Sequence, residues 1–243
     1  MKLGRLPHDP LLVAAVPPHR FGSVPPPPVL DRSHVDYAPK LYGNDKYPDC
    51  TAVGYVNAAR AVAALNGYEL GVEDNAALEF YAACIGNPPD LAATDGAVVV
   101  DVLGHQLTHG VDIGPQMLVG RYGRVNTESV SALASGVNRL GAGYWGVTLH
   151  DRDMQTIGQR WDVTANDGPV VGGHLLLGWD YTGLGDDDTV RLATWGGWQH
   201  ATWRWVLSRM NEAYGIAWRQ LARTDGLFYN GIGYDGLVAE LGD

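Results

Sequence analysis

Hydrophobic and polar positions change their rhythm twice along this chain. The first 36 residues carry no period and many prolines, residues from about 50 to 140 recur at helical spacing, and from 143 onward short aromatic and β-branched runs take over. In 51–66, Val53, Val56, Ala59, Arg60 and Ala63 recur at helical spacing among small residues, and Gly67 supplies a stop. Residues 74–85 predict a second helix capped by Asp74 and ended by Gly86 and Pro88. A third spans 98–108 and ends at His109-Gly110; a fourth spans 128–140, with Val130, Leu133, Val137 and Leu140 on one face. Strands are predicted at 143–150, 170–180, 189–195 and 201–205, and a last helix at 209–221. Helices first and strands later give an α+β fold with segregated layers. The boundaries are a helical lobe over about 37–140, a β lobe over about 141–225 and a tail, 226–243.

Residues 1–36 hold Pro7, Pro10, Pro17, Pro18 and Pro25 to Pro28. That density favours extended backbone and opposes a regular helix. The stretch reads as an arm ordered by contact, with residues 11–16 and Phe21 pinning it to an apolar groove.

Composition narrows the function classes. Hydrophobic residues make up 46% of 243, enough for a substantial core and too many for global disorder. A net charge of −10 argues against nucleic-acid and anionic-membrane partners. No run reaches the roughly 18–20 apolar residues that span a bilayer, and residues 11–16 are too few for a signal-peptide core. A non-secreted protein is expected. Two cysteines, Cys50 and Cys84, make neither a disulfide framework nor a zinc pattern. Cys84 reads as a buried small hydrophobe. His105 and His109 stand at metal-ligand spacing, but nothing completes a site. No cofactor or metal is expected.

The candidate chemistry starts at Cys50, at the head of the first helix, where free N–H groups and the helix dipole favour a thiolate. Asn44 lies six residues upstream on a turn-rich loop, and its amide is a candidate oxyanion donor. Asp49 suits the helix cap, yet its charge would raise the thiol pKa. His174 sits in an apolar strand after Gly172-Gly173, whose small size admits a close neighbour. The bland alternatives are an inert buried cysteine and a structural histidine.

The pattern resembles the papain-like cysteine peptidases. The resemblance rests on a side-chain amide six residues before a cysteine that opens the central helix, a later β-lobe histidine, and Trp195-Gly196 following it. It implies a two-lobed papain-like fold, Cys50 as nucleophile, His174 as base, Asn44 at the oxyanion, and Trp195 sheltering the imidazole. One departure stands out. The resemblance puts an orienting Asn two residues before that tryptophan, and here the residue is Ala193. Thr194 is expected to point to the other strand face, and Asp180 is too far along the strand. Loss of the orienting group implies weak or absent activity.

Scattered pieces also resemble a group of papain-like proteins of tailed bacteriophages, prophages and some bacteria. They are residues 2–7, 43–51, 95–103, 172–180, 194–196 and 202–214. That resemblance implies bacterial cytoplasm or a phage virion as the location. Three functions stay open: a Cys–His hydrolase acting on a peptide or protein substrate, a non-catalytic phage component contacting other phage structural proteins through the 1–36 arm, and a transglutaminase-like acyl transferase.

Overall fold

A computed structural model describes residues 1–19 and 25–242 of the chain. Its organising element is helix α2, Cys50–Leu65. The largely apolar helix expected here is buried nearly all round, from Cys50 to Ala63 with Arg60 the exception. It packs on strand β5, Val170–Tyr181. Gly54 permits this approach, because a Cβ there would lie 2.0 Å from Leu175 Cδ2 and 3.2 Å from Tyr144 Cε2. Tyr144 then donates to the Thr51 carbonyl at 2.7 Å, tying sheet to helix.

Around α2 stand α3 (Ala76–Cys84) and α4 (Val99–His109). A two-stranded ribbon, β1 (Val111–Asp112) with β2 (Met117–Leu118), leads into β3 (Gly120–Arg124) and α5 (Val130–Leu140). The main sheet has six antiparallel strands in the order β3-β8-β4-β5-β6-β7. Here β4 is Gly143–His150, β6 Thr189–Thr194, β7 Gly197–Thr202 and β8 Met210–Trp218. Short helices α6 (Asp151–Gln155) and α7 (Trp203–Arg209) decorate it, and α8 (Tyr234–Glu240) lies in the stretch expected as a tail.

Two expectations fail in the sheet. Of residues 209–221, expected helical, Met210–Trp218 form β8, which pairs with both β3 and β4, and only Arg219–Leu221 make a helical turn. The strand is buried without alternation from Ala213 to Trp218, so it carries no period of two. Residues 201–205, expected as a strand, contain the end of β7 and the start of α7. There Thr202 Oγ1 accepts the Trp205 N–H at 3.1 Å, a helix cap that outweighs the β preference of two tryptophans.

The arm also departs from expectation. Residues 10–15 form a six-residue helix, α1 (Pro10–Ala15), with Pro10 in its first turn and Asp9 Oδ1 accepting the Leu11 N–H at 2.8 Å. Proline is compatible with that position because its missing N–H would be unpaired anyway. Leu11 and Leu12 point outward, 78% and 50% exposed, so they pin nothing; Val16 is the buried member of that run. Phe21 lies outside the described residues. Other parts of the arm are docked: Leu30 exchanges backbone hydrogen bonds with Tyr181, both 3.0 Å, and residues 2–6 enter the groove beside Cys50.

Candidate active site

Cys50 is the first residue of α2 and is 2% exposed. The N–H groups of Leu175 and Gly4 face its sulfur and favour the thiolate. Burial opposes them and, with the Asp49 charge, pushes the thiol up to about 12. The helix dipole anticipated from sequence is therefore overridden, and the resting sulfur is a neutral thiol. Asp49 does not cap α2 through its side chain. It is buried, with Oδ1 accepting from Asn44 Nδ2 at 2.9 Å and Oδ2 without a partner, and desolvation raises it to about 7.

Asn44 lines the same cavity as Cys50, a space of about 20 Å³ bounded also by Leu175, Thr194 and Trp195. Its amide is already committed, donating to Tyr47 O at 3.2 Å as well as to Asp49. In this conformation neither N–H is left for an oxyanion.

His174 lies on β5, next to Leu175, and is 1% exposed. Its Nε2 is 2.6 Å from Thr194 Oγ1. Trp195 stacks on the ring at 4.2 Å between centroids and 19° between planes. The chain turns there, with Trp195 at φ 44° and Gly196 at φ 71°, which throws the indole over the imidazole. Nδ1 of His174 is buried and has no hydrogen-bond partner. Burial, with help from the Arg5 charge, lowers the ring to about 3, so it is neutral at rest.

The expectation for Thr194 is overturned by register. Ala193 pairs with Leu177 across β5 and β6, so it shares the Leu177 face. Thr194 falls on the opposite face, the one His174 occupies. Ala193 offers the ring no polar group; the next residue, Thr194, does, with its hydroxyl. Asp180, by contrast, is committed to Arg191 and to the Arg32 N–H.

Residues 2–6 run through the groove past the sulfur. Lys2 N–H donates to Asn44 O at 3.1 Å, Ala97 N–H to Gly4 O at 2.8 Å, Leu6 N–H to Ala97 O at 3.0 Å and Arg5 N–H to Gly173 O at 3.1 Å. Trp195 Nε1 donates to Lys2 O at 3.1 Å. Contact is too close for side chains on either wall: a Cβ at Gly4 would sit 2.0 Å from Pro48 O, and one at Gly173 2.2 Å from Arg5 O. The Gly172-Gly173 pair thus has the close neighbour that the sequence implied.

No protein-family profile and no curated protein sequence matches this chain. Solved structures do match. Xylellain, a cysteine protease from Xylella fastidiosa, aligns with TM-score 0.59 at 13% identity, over 88% of this chain and 90% of its own. ProCathepsin B S9 from Trypanosoma congolense aligns with TM-score 0.60 at 11% identity, over 89% and 86%. Digestive procathepsin L 3 of Tenebrio molitor larval midgut gives 0.59 at 14%, over 82% and 73%. The fold is papain-like. At these identities the likeness covers the fold alone.

Within this papain-like fold, Asn44, Cys50, Thr194 and Trp195 line one cavity, and His174 lies against Thr194 and Trp195. Three features were not anticipated from the sequence: the Thr194 contact, residues 2–6 in the groove and the Asp49–Asn44 pair. The first two depend on cross-strand register or long-range docking; the third joins residues five apart. A larger cavity, about 690 Å³, is lined by Tyr37, Arg60, Glu69 and Tyr229 among others, and shares no lining residue with the space at Cys50. His105 and His109 stack at 4.4 Å, and no group of three potential metal ligands occurs among the described residues. Cys84 is a free, half-buried thiol. Among the described residues no helix is long and apolar enough to cross a membrane.

Proposed function

We propose that this chain is a papain-like cysteine hydrolase of peptide or related amide bonds, held latent by its own residues 2–6 and weak in turnover. The observation that carries the reading is the unpartnered, buried Nδ1 of His174. Nε2 is fixed by Thr194, and the N–H of the very next residue, Leu175, faces the Cys50 sulfur. A buried ring nitrogen left without a partner is costly, and in this reading it is the group that accepts the Cys50 proton.

With residues 2–6 out of the groove and substrate in, Cys50 Sγ attacks the carbonyl carbon as His174 takes its proton. The Cys50 backbone N–H and the Asn44 amide, turned away from Asp49, donate to the oxyanion. The protonated His174 returns the proton to the leaving nitrogen, and water then cleaves the thioester. Thr194 holds the ring with a hydroxyl, which can donate or accept and so fixes the tautomer less firmly than the amide oxygen of an asparagine, which suits slow turnover. Residues 2–6 block without being cut because Gly4 O is engaged by Ala97, away from the donors at Cys50.

A second reading is a non-catalytic component, for instance of a phage particle, built on the same scaffold. The neutral, buried pair and the filled groove favour it. The experiment is to incubate unfolded protein and cell-wall peptides with the wild-type chain, Gly4→Val and Cys50→Ala. Valine at position 4 collides with Pro48 O and unseats residues 2–6. Slow cleavage by wild type, faster cleavage by Gly4→Val and none by Cys50→Ala supports the hydrolase. No cleavage by folded Gly4→Val moves the assignment to the scaffold.

A further inference from the structure

We propose that the pocket around Glu212 is a guanidinium site of the groove, and that the peptides this groove binds place an arginine there. This deepens, and rests on, the reading that the groove takes peptides.

The pocket is built and filled. Arg5 enters it from the residue adjacent to the one at the sulfur. Its Nη1 meets Glu212 Oε1 at 3.0 Å and its Nη2 meets Asn211 Oδ1 at 2.7 Å. Its Nε donates to Val147 O at 3.3 Å. Both charged side chains are nearly sealed from solvent, with Arg5 5% and Glu212 0% exposed in their side chains. Tyr214 OH donates to the other Glu212 oxygen at 3.0 Å, so the carboxylate is aimed and held by the sheet. Gly146 clears the space: a Cβ there would lie 2.7 Å from both Arg5 Cδ and Glu212 Cγ.

The chemistry selects guanidinium over ammonium. The acceptors come from a carboxylate, a side-chain amide and a main-chain carbonyl spread around one plane, which matches a rigid fork of five donors. A lysine carries three donors on a point charge and cannot span them. The rest of the contact with residues 2–6 is largely main chain to main chain, through Gly173 O and Ala97. Those bonds accept many sequences, so the choice among peptides falls to the pocket. Once residues 2–6 leave, Glu212 is a buried carboxylate without its guanidinium, with the His8 ring 3.4 Å from Oε1 beside it, a costly state that an incoming arginine relieves.

The test measures binding by fluorescence polarisation. The probes are a fluorescein-labelled pentapeptide Lys-Leu-Gly-Arg-Leu and the same peptide with citrulline, the neutral isostere, in place of arginine. The protein is the full chain carrying Cys50→Ala, Gly4→Val and Arg5→Gln, so that residues 2–6 are unseated, the pocket is vacant and nothing is cleaved. Hydrogen bonds to a charged group give an expected preference for arginine of about 10- to 100-fold. Adding Glu212→Gln is expected to abolish it. Equal affinities, a preference that survives Glu212→Gln, or no binding of either peptide would overturn the proposal. Circular dichroism checks folding; if Arg5→Gln unfolds the chain, Cys50→Ala with Gly4→Val alone takes its place. Arginine preference without hydrolysis by any Cys50-containing chain would refute the hydrolase alone, and hydrolysis indifferent to arginine would refute the pocket alone.

Discussion

His174 is held from two sides, by the Thr194 hydroxyl at Nε2 and by the Trp195 face. The hydroxyl lies at Nε2 while Nδ1 is buried without a partner, and the indole covers one face of the ring. Thr194→Val keeps the shape and removes the oxygen. A second buried ring nitrogen then loses its partner, at a cost of about 1–3 kcal/mol. Cys50-dependent hydrolysis is expected to fall, though by less than the roughly 10⁴-fold seen when a triad loses its carboxylate. Thr194→Ser should retain most of both. Thermal unfolding and kcat/KM of the two variants check this; equal behaviour of Val and Ser would remove Thr194 from the site. The residue-level site was partly legible for a definite reason. Asn44, Cys50, His174 and Trp195 declare themselves by local spacing. Thr194 does not, because only the pairing of Ala193 with Leu177 decides which of two adjacent residues shares the histidine's face.

At the scale of elements, the joint between α5 and β5 depends on one buried arginine. Arg32 donates to Val137 O and Trp179 O, both at 2.9 Å, and to Gly141 O. Two of those carbonyls, Val137 and Gly141, belong to the C-terminal end of α5, where cations are favoured. Its guanidinium also lies over the Trp179 ring, 4.8 Å from the centroid. Arg32→Ala would leave several buried acceptors unpaired, each worth about 1–3 kcal/mol, so a loss of several kcal/mol in urea unfolding is expected. Arg32→Lys should recover only part, since an ammonium cannot reach both elements in one plane. A loss under about 1 kcal/mol for alanine, the scale of a surface change, would contradict this role. Elements were legible where one face meets water or the core alone. The α5 stripe of Val130, Leu133, Val137 and Leu140 falls close to its expected bounds; β4, buried without alternation from Gly143 to Val147, was legible instead from its aromatic and β-branched residues. Strand β8 was not, because a strand buried on both sides between β3 and β4 loses the alternation that would distinguish it from a helix.

Over the whole molecule, burial shifts several titrating groups in opposite directions, and their balance sets acid stability. His174 and His19 are each lowered to about 3, both chiefly by burial, against an ordinary value of 6.5. Each therefore contributes stability that is full above pH 6.5 and is lost as pH falls toward 3. His105 is shifted the same way. Asp49 works against them: raised from 3.8 to about 7 by desolvation, it stabilises the fold when protonated, and that contribution is lost as pH rises from about 4 through 7. Between about pH 4 and 6.5 the unfolded chain binds two protons at the histidines that the folded chain refuses, while the folded chain holds one at Asp49 that the unfolded chain releases. The net is one proton, so stability should fall on acidification by up to about 1.4 kcal/mol per pH unit. Asp49→Asn keeps an oxygen for Asn44 and removes the titration. It should stabilise the protein at pH 8, by a few kcal/mol at most, and steepen the loss below pH 6.5 toward two protons per molecule. It also removes a charge that holds the Cys50 thiol up, so alkylation of Cys50 in Gly4→Val should quicken when Asp49→Asn is added. Urea unfolding at half-unit pH steps reads the slope. An Asp49→Asn slope equal to or shallower than wild type would mean that Asp49 is already ionised in the folded protein, and the neutral resting pair would then need another explanation than burial.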